Sequence, residues 1–185
     1  MKNTTHQWLL ILFIFFSFGG CSQRKDPVKK ASEVNEEKAD HDQINEPAAD
    51  FIVSVADARM MDIYEGKLAA EKGTSSSIRA YGKLMVTDQT MLLSALRSLA
   101  VKKNITLPEG ISNKKENGRD NLAEKSGKDF DKTFAKMMAI DHKRDVKLFK
   151  QAIDFEDFEV SQFAKKYLPT IQTHLDQINT ICEKQ

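Results

Sequence analysis

The 185-residue chain is poor in the residues that break helices or staple small folds: it has 8 glycines, 4 prolines, 2 cysteines and 1 tryptophan. Strand-like alternation of apolar and polar residues is almost absent, which excludes most sheet architectures, while helical spacing recurs. The two cysteines, Cys21 and Cys182, do not make a disulfide framework. Charge of one sign is lacking too. The 28 basic and 27 acidic residues nearly cancel, and a nucleic-acid-binding domain needs a basic excess on one face. There is no Gly-x-Ser-x-Gly elbow, no glycine-rich phosphate loop, and no Glu-x-x-His, the ligand pair of di-iron bundles.

What is present starts with an address. Trp8–Phe18 (WLLILFIFFSF) is an apolar run behind Lys2. It is shorter than the roughly 20 residues that span a bilayer, and it fits the core of a signal peptide over residues 1–20. Gly19, Gly20 and then Cys21 follow it. Small residues before such a cysteine resemble a bacterial lipoprotein signal, so Cys21 is expected to be lipidated and to become the mature N-terminus. The expected partner is therefore a membrane, reached through Cys21, and the expected location is the bacterial cell envelope, periplasm-facing or at the outer membrane. Residues 22–49 are dense in charge and poor in large apolar groups. With Cys21 they read as a disordered tether over 21–49, because such a segment buries too little to offset its ordering entropy.

The remaining chain, 50–183, reads as an all-α domain. The spacing predicts helices over Asp50–Lys72, Ser77–Lys103, Lys128–Ile153 and Phe158–Glu183, the last interrupted by Pro169 and expected to kink there. Each has a single apolar stripe, which makes a four-helix bundle. Asn104–Gly127 is a long connection, broken by Pro108, Gly110 and Gly118. It can fold locally or cross the bundle. Cys182 reads as a partly buried, inert thiol beside the last stripe.

Each stripe carries a polar residue near its middle. Helix one has Asp62 with Glu65 a turn on, helix two Asp88 beside Gln89, helix three Asp141, His142 and Asp145, and helix four His174. Carboxylates and imidazoles inside a bundle must satisfy one another or bind a cation, because an unpaired buried charge is costly. Asp62, Asp88, Asp145, His142 and His174 are therefore candidate ligands for a divalent metal. The competing reading, a hydrogen-bonded network that fixes register, is preferred. No catalytic residue and no cofactor is expected, apart from that optional metal.

The segments DFIVSVADARMMDIYEGKLAAEKGTSSSIRAYGKLMVTDQ, FDKTFAKMMAIDHKRDVKLF and FAKKYLPTIQTHL, in this order, resemble the bacterial domain of unknown function 4142, a family described as exported or outer-membrane proteins. The resemblance implies a ferritin-like bundle whose long connection crosses between helices two and three. It implies no reaction. His142 and His174 match the family pattern, but Asp88-Gln89 stands where Asp-His is common, Phe134 where Tyr is common, and Asp62 where Glu is common. The functional expectation is an uncharacterised, non-enzymatic envelope lipoprotein that acts through protein or envelope contacts. The alternative is a ferritin-like metal-binding or oxidative-stress protein.

Overall fold

The computed structural model describes residues 25–184; the signal peptide and Cys21 lie outside them. The described chain is all-helical, with six helices where four were expected: α1 (Pro27–Asp40), α2 (Glu46–Lys72), α3 (Ser76–Lys102), α4 (Asn113–Glu124), α5 (Gly127–Ala152) and α6 (Phe158–Cys182). Three of the four long ones start at a capping side chain, whereas Ser126 ahead of α5 makes no capping bond. Ser75 Oγ accepts from the Ile78 amide at 3.1 Å, and Asp157 Oδ1 from the Val160 amide at 3.1 Å. Helix α2 begins four residues before the predicted Asp50, because Asn45 accepts from the Ala48 amide at 3.0 Å and supplies an earlier cap. Pro169 leaves α6 continuous from Phe158 to Cys182, and the Thr173 hydroxyl donates back to the Pro169 carbonyl at 2.9 Å.

The two additional helices correct two readings. Part of the predicted tether is α1. Asp26 caps it, with Pro27 in its first turn. Its Asn35 is buried and clamps the start of the long connection, donating to the Thr106 carbonyl at 2.9 Å and accepting from the Thr106 amide at 2.8 Å. A segment too polar to form a core of its own is thus ordered by polar contacts to its neighbours. Within the connection, Ser112 caps α4, of which only Leu122 is buried. Cys182 is exposed rather than partly buried.

Contacts fix the path of the chain. Helices α2 and α3 form one antiparallel hairpin, and α5 and α6 the other. At one end Asp131 on α5 accepts from the Thr74 amide (2.9 Å), the Thr74 hydroxyl (2.5 Å) and the Ser75 amide (2.8 Å) in the α2–α3 turn. Burial opposes the charged form of Asp131, but these hydrogen bonds outweigh it and its pKa is lowered. At the other end Phe51 near the start of α2 meets Phe149 near the end of α5, ring centroids 5.2 Å apart and edge-on. Between these ends the connection descends along α2. Ser112 binds Asp57, and Lys72 Nζ donates to the Ala123 carbonyl. It therefore crosses the whole length of the long helices, which settles the question that spacing left open.

The α2–α3 hairpin closes through two glycines. A Cβ on Gly82 would stand 2.6 Å from the Gly66 carbonyl oxygen and 2.7 Å from the Ala70 nitrogen, so the backbones approach more closely than any side chain permits. Two apolar clusters fill the interior. One is built around Phe51, Leu96, Phe149 and Ile171, the other around Tyr81, Met85, Phe130 and Phe134. Polar residues lie between them.

Candidate functional site

The layer between the clusters is centred on a residue that periodicity did not single out. Arg59 is fully buried. It lies one turn before Asp62 on the inward face of α2, and that placement was the available signal. Its guanidinium binds the Asp145 carboxylate of α5, reaches Asp62 Oδ2 at 3.0 Å, and donates from Nη1 to Gln89 Oε1 of α3 at 3.1 Å. Burial lowers Arg59 from its ordinary pKa, and the Asp62 charge works against that. The cation that the buried carboxylates required is therefore supplied by the chain.

Gln89 joins this ion cluster to the imidazoles. His142 Nδ1 lies 3.0 Å from the Met138 carbonyl, which can only accept, so Nδ1 carries the proton. His174 Nε2 lies 2.8 Å from Asp88 Oδ2, so that nitrogen carries the proton of the second ring. The two remaining ring nitrogens, His142 Nε2 and His174 Nδ1, bear lone pairs and point at one atom, Gln89 Nε2, at 3.5 and 3.4 Å. One amide group thus gives its oxygen to the guanidinium, and its nitrogen faces both imidazoles and the Met85 sulfur, 3.7 Å away. Both rings are neutral in this arrangement. Burial is the main cause that pushes His142 down to about 4; it also lowers His174, against the opposing pull of Asp88. The Tyr81 hydroxyl closes the layer by donating to the His174 carbonyl at 3.1 Å.

The structure thus brings together Asp62, Asp88, His142, Asp145 and His174, with Gln89 among them. Asp141 is not part of the layer. It sits toward the surface and pairs with Arg144 at 2.8 Å. Glu65 is buried, and neither of its oxygens has a hydrogen-bond partner. Burial, followed by the charges of Asp62 and Asp141, holds its carboxyl well above the usual range, so it is a neutral acid. Arg59 Nε and Asp62 Oδ2 also lack a well-aligned hydrogen bond.

Among the described residues, no three His, Cys, Asp or Glu side chains are arranged to hold a metal ion. The donor set explains this. Both imidazole lone pairs are turned to an amide N–H group, and Asp62 and Asp145 face a guanidinium. The site stores charge and protons in fixed places, and no nucleophile stands beside a base.

A crystal structure of a DUF305 fragment from Deinococcus radiodurans is similar in fold, with a TM-score of 0.68 at 12% identity over 77% of this chain and 99% of that one. No curated protein matches the chain. The profile of the domain of unknown function DUF4142 matches residues 33–181, which span α2 to α5 entirely, together with most of α1 and α6. The chain belongs to the DUF4142 family.

Proposed function

We propose that this chain is a lipid-anchored, non-enzymatic helical domain of the bacterial cell envelope that acts through protein or envelope contacts. The observation that carries the reading is the closure of the polar layer. Arg59, Gln89 and the two histidines use their groups on one another, so the layer serves register and specificity instead of chemistry. The four long helices are read as a ferritin-like bundle. Two hairpins joined by a connection that crosses their full length support this. Among the described residues no helix is long and apolar enough to cross a membrane, and the anchor is assigned to Cys21. Mass spectrometry of the protein from cell membranes tests this. An acylated N-terminal Cys21 is expected; an unmodified Cys21, or cleavage elsewhere, overturns the anchor.

A second reading, metal binding in the same layer, has two observations in its favour: the unpartnered Glu65 carboxyl and the convergence of two imidazole lone pairs on one point. Elemental analysis of the purified chain, with His142→Ala and His174→Ala controls, separates the two. Stoichiometric iron, manganese or zinc that is lost in the controls overturns the non-metal reading.

A further inference from the structure

A cleft of about 670 Å³ lies between α2, α4 and α5, within the range of small-molecule sites, with Asp145 of the polar layer in its lining. Its walls mix apolar and charged side chains, with the apolar surface the larger part. Met61 comes from α2, and Met137, Ile140 and Leu148 come from α5; Ile140 is left 57% exposed along it. Its roof is α4, held near both ends. Ser112 and Asn113 give their amides to Asp57 and Asp26, each within 2.9 Å, while Leu122 is buried and Lys72 holds the Ala123 carbonyl. Between those fastenings Gly118 faces the cleft. A Cβ there would stand 3.7 Å from Met137 Cε and 3.9 Å from Met61 Cε.

The charges around the cleft do not cancel locally. Asp57 accepts from Ser112 but keeps its charge, which Lys115 opposes, while Asp145 pairs with Arg59 and Asp141 with Arg144. Lys114, Lys115 and Lys147 also line the cleft, and none of the three forms an ion pair among the described residues. Four cations, Lys114, Lys115, Arg144 and Lys147, line the cleft against three carboxylates, Asp57, Asp141 and Asp145, which leaves its lining net positive by one, and methionine and leucine lie beneath the lysines. A compact phosphate is a poor match. At the start of α4 the Ser112 and Asn113 amides are held by carboxylates and the Lys115 amide by the Ser112 hydroxyl, and the one guanidinium at the rim, Arg144, is paired. No aromatic ring lines the cleft to stack a base.

We infer that this cleft binds a single-chain anionic amphiphile, a long-chain fatty-acid anion, with its alkyl chain along Met61, Met137 and Leu148 and its carboxylate among Lys114, Lys115 and Lys147. The apolar wall supplies burial in proportion to area, and the lysines supply the sign preference. The inference goes beyond the proposed envelope role and does not depend on the anchor at Cys21, since every residue it uses belongs to the folded part.

Calorimetric titration of the full chain tests it with three probes: palmitate, dodecyltrimethylammonium as a cationic chain, and phosphatidylglycerol vesicles. Saturable binding of palmitate and weaker binding of the cationic chain are expected. Gly118→Leu should keep the fold, since a Cβ there makes only ordinary contacts and leucine favours a helix over glycine. The longer side chain fills the space between Met61 and Met137, and palmitate should bind at least about tenfold more weakly. The triple variant Lys114→Glu, Lys115→Glu, Lys147→Glu should reverse the preference between the two chains. The inference is overturned by any of four results: no palmitate binding, a folded Gly118→Leu variant that binds as tightly as the parent, equal binding of both chain types, or binding to vesicles alone. None of these bears on Cys21 acylation, so failure here is distinguishable from failure of the anchor.

Discussion

Arg59 on α2 and Asp145 on α5 meet as an ion pair with 0% and 2% exposure, and they tie the first hairpin to the second through charge. A pair of this kind adds little over a well-packed apolar substitute, but removing one member strands the other in a low dielectric at a cost of about 3–5 kcal/mol. Arg59→Met strands two carboxylates, Asp62 and Asp145, and should lower the unfolding free energy by at least that much. Urea denaturation measures it. A loss below about 1 kcal/mol would show that water reaches the cluster.

The neutral state of His142 gives stability a pH dependence. Its folded pKa, about 4, lies below the unfolded value of 6.5. Between those values the unfolded chain takes up a proton that the folded chain refuses. The stability is therefore whole above pH 6.5 and is lost as pH falls toward 4, by roughly 3 kcal/mol in all. His142→Gln removes the titrating group. The stability difference between parent and variant should shift in the variant's favour as pH falls through this window, and denaturation at several pH values reads it. A constant difference would mean that the ring takes up its proton equally in the folded and unfolded states.

Glu65 acts with the opposite sign. Its folded pKa lies above the unfolded value of 4.5, so the folded chain holds a proton that the unfolded chain gives up. Stability from this group is complete below pH 4.5 and falls as pH rises. Glu65→Gln keeps the shape and cannot ionise. Its melting temperature relative to the parent should rise from pH 5 to pH 8. An equal difference at both pH values would place the carboxyl in water, against its 0% exposure.

Gly82 offers a test of packing with no charge involved. A Cβ there collides with the Gly66 carbonyl at 2.6 Å and with the Ala70 nitrogen at 2.7 Å, both backbone atoms that cannot rotate away. Gly82→Ala gains helix propensity of about 1 kcal/mol but must spread α2 from α3, and overpacking costs of about 1–3 kcal/mol or more should win. Net destabilisation by urea is expected. A more stable variant would mean that the hairpin separates freely.

The reach of sequence reasoning followed from how local each feature is. The long helices were legible because stripe and cap lie within one segment: Ile78, Tyr81 and Met85 on α3, with Ser75 ahead of them. Helix α1 was not, since what orders it is Asn35 bonded to Thr106, 71 positions away. The same distinction divides the site. Asp62, Gln89, His142, Asp145 and His174 were visible as polar residues on apolar stripes. Arg59 was legible only in part: its place one turn before Asp62 was a signal, but its pairing with Asp145 on α5 is seen only in three dimensions. The crossing of the connection was implied by family resemblance and undetermined by spacing, for Ser112 finds Asp57 only in three dimensions.

Gln89 decides between the two readings of the layer. Its Nε2 lies 3.5 Å from His142 Nε2 and 3.4 Å from His174 Nδ1, so an amide occupies the point where two imidazole lone pairs meet. Gln89→His replaces the amide with a third imidazole, which as a neutral ring offers one N–H in place of two. Without metal the variant should be less stable by about 1–3 kcal/mol, because at least one buried imidazole lone pair loses its donor. With zinc present it should recover, since three imidazole nitrogens can close to about 2.1 Å around one tetrahedral ion that keeps an open fourth position. The expected result is about one equivalent of zinc by elemental analysis and a zinc-dependent rise in melting temperature for Gln89→His, with neither seen for the parent chain. A parent chain that takes up zinc equally well would show that the amide swings aside, and the metal-binding reading would then replace the structural one.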